Sequence, residues 1–185
     1  MKIAISGAHC TGKTTLVNAL KDSGKYNDFI FRSNLLRGLK ELGIPINELG
    51  NTTTQLYVMT KFYEFLHTPG DAILDRCALD GMAYTMYFYP EMSENMQSAF
   101  ERIFEEIIFK YDAICYVEPE LDLIDDGVRS IDKNFYDQVV LNFEILIDEY
   151  NIPVHRISGS VEKRVKQVNK IINSLKKTEL PAFEL

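Results

Sequence analysis

A chain of 185 residues with 46% hydrophobic and 25% charged residues is an ordinary globular composition, long enough to bury about 70% of its unfolded surface as one domain. A formal charge of −7 argues against a protein that coats duplex DNA through a broad basic face. The apolar runs stop after about five residues where a membrane span needs about 20, so no membrane partner is expected. Cys10, Cys77 and Cys115 are odd in number and lack metal-ligand spacing, which excludes a disulfide framework and suits a reduced, cytoplasmic setting. One lysine and three apolar residues at the start are too short for a signal peptide.

The first expected strand is Lys2–Ser6. Directly after it, Gly7-Ala8-His9-Cys10-Thr11-Gly12-Lys13-Thr14 fits G-x-x-x-x-G-K-[ST], and Thr15 opens a stretch whose apolar spacing predicts a helix to about Asp22. In such a loop the glycines let backbone N–H groups wrap phosphates at a helix N-terminus. Lys13 brings a mobile positive charge, and the Thr14 hydroxyl can ligate magnesium. Residues 7 and 9–15 are therefore the expected nucleotide-binding set: Gly7, His9, Cys10, Thr11, Gly12, Lys13, Thr14 and Thr15.

Residues 29–31 read as a second strand and 34–42 as a short helix ended by Gly43 and Pro45. A loop over 46–51 leads into a helix starting at Thr52 and stopped by Thr68-Pro69-Gly70. Residues 71–75 form a third strand ending in an acid. Helices are expected from Ala78 to just before Pro90 and over 93–110. The continuous apolar run 113–117 is of the buried parallel-strand kind. After the acidic connector 118–130 come a helix over 133–150, a fifth strand over 153–157 and a helix capped by Ser160, with fraying expected from Lys176. Strands alternating with helices predict an α/β fold: a five-stranded parallel sheet with helices on both faces and ligands beyond the carboxyl ends of the strands. The expected organisation is one domain over 1–177, a lid at about 118–131, and a tail over 178–185.

Phosphoryl transfer needs charge neutralised on the moving group and the acceptor held in line. Lys13 answers the first need. Asp75, at a strand end, is expected to hold magnesium opposite Thr14 and to take a proton from an acceptor hydroxyl; capping the next helix is the plainer role. Arg76 clamps an acceptor phosphate, touches the transferring group, or forms a structural salt bridge. Arg129, beside the Gly127 hinge, either swings over the phosphates or pairs with Asp125 and Asp126. Asn34 and Arg37 are expected on the acceptor side, Gln55 to read a base edge, and Asp80 to join that side or pair with Arg76 one turn back. Gly159 and Arg164 border an adenine or simply start a helix. Among Tyr57, Tyr63, Tyr84, Tyr87 and Tyr89 most are read as packing. His9, His67 and His155 share no triad or ligand spacing.

Four stretches carry a family resemblance: residues 7–15, Leu74-Asp75-Arg76-Cys77-Ala78-Leu79-Asp80-Gly81-Met82-Ala83-Tyr84, Asp125-Asp126-Gly127-Val128-Arg129, and Ile157-Ser158-Gly159 ahead of Arg164. In that order the chain resembles P-loop kinases of the nucleoside and nucleotide kinase type, more closely the AAA_28 group, which is similar to nicotinamide riboside kinase domains and includes phage kinases. The resemblance implies the P-loop NTPase fold, ATP with magnesium, an Asp-Arg pair at the acceptor site and a lid arginine, which fall on Asp75, Arg76 and Arg129. The group often has a glutamate three residues before the arginine aligned with Arg37. Here Asn34 stands there, and an amide cannot act as a base. No sensor or hexamer-interface arginine segment is present, so a ring-shaped motor is not expected. The expected function is transfer of the ATP γ-phosphate, with magnesium, to a small nucleoside, nucleotide or related acceptor. A kinase acting on 5-hydroxymethyluridine in phage DNA and a nucleotide-switched binding protein are the alternatives, and a homodimer stays open.

Overall fold

The computed structural model describes residues 1–121, 123 and 130–179, the last two as backbone. Its five strands are β1 (Lys2–Ser6), β2 (Ile30–Arg32), β3 (Ala72–Asp75), β4 (Ala113–Val117) and β5 (Val154–Ile157). All pair in parallel, in the order β2-β3-β1-β4-β5. Among the described residues, the α-helices are α1 (Lys13–Asp22), α2 (Leu35–Glu41), α3 (Thr52–Leu66), α4 (Ala78–Thr85), α5 (Glu94–Ile108), α6 (Lys133–Glu149) and α7 (Val161–Glu179).

Residues of one strand alternate between two apolar cores because successive side chains point to opposite faces of the sheet. Ile3, Ile5, Ile73, Cys115 and Val117 pack against α1 and α7. Ala4, Leu74, Ile114 and Tyr116 pack against α3, α4, α5 and α6, around the fully buried Phe62, Phe100, Phe104, Phe135 and Phe143. Burying one such ring contributes about 1.5–3 kcal/mol, so this second core holds most of the apolar stabilisation. A strand wetted on neither face has no use for alternating polarity, which is why β3 and β4 are apolar almost throughout.

The register positions the site. Ile5 lies opposite both Asp75 of β3 and Cys115 of β4. Whatever follows β1, β3 and β4 therefore emerges at one level of one sheet edge. Gly7 makes that convergence tight: its φ is 136°, and a Cβ there would stand 2.7 Å from the Val117 carbonyl oxygen. On the other face, a Cβ at Gly81 would stand 2.4 Å from the Met59 sulfur, so glycine lets α4 lie close on α3.

Most expected boundaries shift by a residue or two, and three differences have physical causes. The helix expected to end before Pro90 is α4 only to Thr85, then a 3₁₀ segment Met86–Glu91 that contains the proline. The Thr85 hydroxyl donates 2.7 Å to the Gly81 carbonyl, a side-chain competitor of the kind that bends helices, and the tighter winding carries the chain through Pro90. The loop over 46–51 contains a 3₁₀ turn, Asn47–Leu49. The fraying expected from Lys176 does not occur there. Helix α7 continues to Glu179, with Leu175 packed on the core and Lys176 Nζ 5.0 Å from the Phe29 ring centre.

Candidate active site

The loop between β1 and α1 begins where apolar sheet gives way to small residues, and Gly12 closes it at φ 87°, a left-handed conformation just ahead of the helix. Lys13 is buried, and its Nζ bonds to the Ala8 carbonyl and, at 3.4 Å, to Thr11 Oγ1. The Thr14 hydroxyl donates 3.0 Å to Asp75 Oδ2, joining the start of α1 to the end of β3. Asp75 Oδ1 is buried with no hydrogen-bond partner. A buried carboxylate oxygen left unpaired is costly in a finished fold, and it lies beside a hydroxyl that also ligates hard cations. The pair fits magnesium. Among the described residues no three His, Cys, Asp or Glu side chains gather into a metal site, so a magnesium held by Thr14 and Asp75 would complete its shell with phosphate oxygens and water.

Arg76 follows in the left-handed region, at φ 84°, a conformation that costs an ordinary residue of the order of 1–3 kcal/mol. It is held there from three sides. Its N–H donates 2.9 Å to Ile5, its Nη1 lies 3.2 Å from Asp80 Oδ1, and its guanidinium carbon sits 5.4 Å from the centre of the Tyr84 ring. Burial opposes its charge, but Tyr84, Asp80 and Asp75 outweigh burial and hold it protonated above its ordinary value. Asp80 Oδ2 accepts the Ser6 hydroxyl at 2.7 Å and the Cys77 N–H at 3.1 Å. Burial raises the Asp80 carboxyl, against the pull of Arg76 and Lys13.

The family model described as AAA domain, AAA_28, matches residues 2–164, most of the chain and every residue of this cleft named above. The chain belongs to the AAA_28 family. Solved structures share its fold across nearly its whole length. Deoxyadenosine kinase from M. mycoides, with dCMP and dCDP, has a TM-score of 0.68 at 14% identity over 95% of this chain and 100% of that one. NadR in complex with NR reaches 0.73 at 18% over 99% of this chain and 53% of NadR. Thymidylate kinase from Ehrlichia chaffeensis gives 0.62 at 16% over 93% and 98%. No curated protein sequence matches. At identities of 14–18% these structures show that this AAA_28 chain shares their fold, and they leave its chemistry to be read from the site.

In this AAA_28 cleft His9, Cys10, Gly12, Lys13, Thr14, Asn34, Arg37, Asp75 and Arg76 line one cavity. Gln55, Asp80 and Tyr84 line a second, which shares Leu36, Asn47 and Arg76 with the first. Of the expected nucleotide-binding residues, Thr15 is exposed at the start of α1 and Thr11 is buried, its hydroxyl bonded 3.0 Å to the Ala8 carbonyl. The His9 side chain turns into the core rather than toward solvent. The His9 backbone N–H donates 2.9 Å to the Tyr84 hydroxyl, the ring Nδ1 lies 2.8 Å from the same oxygen, and the ring stacks on Phe135. Cys10 takes φ 62°. Asp80 pairs with Arg76, the second of its two expected arrangements. Arg129 and Gly127 lie outside the described residues, as does half of the expected lid.

Three contributors were not among the expected site residues. Ser6 anchors Asp80, Tyr84 joins the phosphate loop to Arg76, and Glu120 pairs with Arg164 at 3.1 Å while accepting the Gly159 N–H at 2.8 Å. Arg164 is buried and also donates 2.5 Å to the Thr11 carbonyl, so it stitches α7 to the phosphate loop. The signals in the sequence are slight: a polar Ser6 closing an apolar strand, and a tyrosine two turns beyond Arg76.

Proposed function

We propose that this AAA_28 chain is an ATP-dependent phosphotransferase acting on a small nucleoside, nucleotide or related acceptor. The reading is carried by the Thr14–Asp75 contact of 3.0 Å, with a buried unpaired Asp75 oxygen beside it, in one cavity that Lys13 and a fixed Arg76 also line. The phosphate loop would hold the ATP β- and γ-phosphates with its backbone N–H groups and Lys13. Magnesium, held by Thr14 and Asp75, would neutralise charge on those phosphates when bound. Arg76 lines the same cavity, already held by Asp80 and Tyr84, so little ordering remains to be done when an acceptor arrives. Kinship of fold with proteins described as deoxyadenosine and thymidylate kinases supports the same class, at identities too low to carry over an acceptor.

The test is transfer of labelled γ-phosphate from ATP to a panel of acceptors. Wild-type protein is expected to label an acceptor. Lys13→Ala should lower the rate about 10²–10³-fold, the scale for removing one donor aimed at developing negative charge, while the melting curve stays that of a folded protein. Nucleotide binding without acceptor-dependent turnover would instead make the chain a nucleotide switch.

A further inference from the structure

The acceptor side of the cleft has two joined compartments of different chemistry. Nearest the phosphate loop, among the described residues, Lys13, Arg37 and Arg76 line the wall with Asp75 as the one carboxylate. Farther in, Gln55, Thr54, Phe62 and Tyr84 line a compartment of amide, hydroxyl and ring surfaces, with Asp80 behind Arg76. The first compartment thus offers three cations against one acid.

A hydroxyl acceptor must lose a proton as it attacks, and kinases for such acceptors place a carboxylate or another base to receive it. Among the described residues, the two carboxylates of this lining are both committed. Asp75 is taken up with Thr14 and the cation that the two would hold. Asp80 is 1% exposed, and its oxygens accept from Arg76, Ser6 and Cys77. Asn34, on the same wall, is an amide. A phosphate monoester needs no base: with a second pKa near about 6 it is largely a dianion at neutral pH, and arginine forks bind it bidentately.

We infer that the acceptor enters already phosphorylated, as a nucleoside monophosphate whose phosphate sits between Arg37 and Arg76 and whose base lies in the Gln55 compartment. This rests on the phosphotransferase reading and narrows it. An oxygen of the acceptor phosphate forms the new bond to the γ-phosphorus, the bond from that phosphorus to the β–γ bridging oxygen breaks, and ADP leaves with the electron pair. No proton has to leave the acceptor, and the product is a nucleoside diphosphate.

The experiment offers the full chain ATP with magnesium and either nucleosides or their 5′-monophosphates, and separates the products by charge. At least one monophosphate should become a diphosphate, with kcat/KM about 100-fold or more above its own nucleoside, the upper scale for losing a hydrogen bond to a charged group. Arg37→Ala should raise KM for that monophosphate about tenfold or more and leave KM for ATP unchanged, and Arg37→Lys should recover part of the loss. Phosphorylated nucleosides with untouched monophosphates would overturn the inference and leave the phosphotransferase reading standing. Label released only as inorganic phosphate would overturn both. An unchanged KM in Arg37→Ala would remove the phosphate seat assigned here.

Discussion

Asp75 does two things at once, and the balance between them is set by single atoms. Its Oδ2 accepts the Thr14 hydroxyl, while Oδ1 is buried and unpaired. Replacing it by asparagine keeps the volume and removes the charge that a cation held by the proposed pair would need. Asp75→Asn should therefore raise the magnesium concentration for half-maximal rate about 10–100-fold, the range for loss of a supporting ligand interaction. The stabilisation given by ATP alone should persist while the extra increment from magnesium disappears. An unaltered magnesium titration would move the cation to other residues. Arg76 teaches the same lesson from the other side. A charged side chain in a strained conformation and a nearly closed environment persists because Asp80 and Tyr84 over-determine it, and Ser6 in turn fixes Asp80.

At the scale of elements, the phosphate loop is a joint as well as a cradle. Gly7 was expected in the sequence as a residue that lets the backbone wrap phosphates, and the structure adds a packing reason: β4 passes so near that any side chain would strike the Val117 carbonyl. Gly7→Ala combines that clash with a backbone angle of 136° that alanine avoids, and should cost at least about 2 kcal/mol. For a chain of this size that lowers Tm by about 4 °C or more, a loss measurable without any ligand. A wild-type Tm would mean that β1 and β4 can part without penalty. Arg164 and Glu120 tie α7 and the segment after β4 to the same loop, so its far side is braced as well. Helix α4 performs the corresponding service for Arg76, since Asp80 and Tyr84 lie one and two turns beyond it.

For the molecule as a whole, an AAA_28 chain with a donor site should be steadied by its donor. At about 100 times the dissociation constant, ATP with magnesium adds about 2.7 kcal/mol to the folded state, a rise of several degrees in Tm. No rise at saturating ATP, with a folded protein and magnesium present, would remove the nucleotide site and everything built on it. No helix among the described residues is long and apolar enough to cross a membrane.

The order of strands and helices, the parallel sheet and the phosphate loop were all legible from periodicity and from one eight-residue pattern, because those features are local: alternation, glycine spacing and caps act over a few residues. Ser93 and Asp132 cap α5 and α6, within a residue of where the helices over 93–110 and 133–150 were expected to start. What lay beyond the sequence was every relation between distant segments. The placing of β1 between β3 and β4, the turning of His9 onto Tyr84 and Phe135, the Ser6–Asp80–Arg76 chain and the grip of Arg164 on Thr11 all join residues whose separations along the chain carry no pattern. The amino-acid order by itself determined the alternation of strands and helices and the glycine-spaced loop between β1 and α1, since both depend only on neighbours along the chain. Only the tertiary structure decided which groups line the cavity and which are spent holding one another, because a hydrogen bond is settled by where two atoms come to rest once the core has packed.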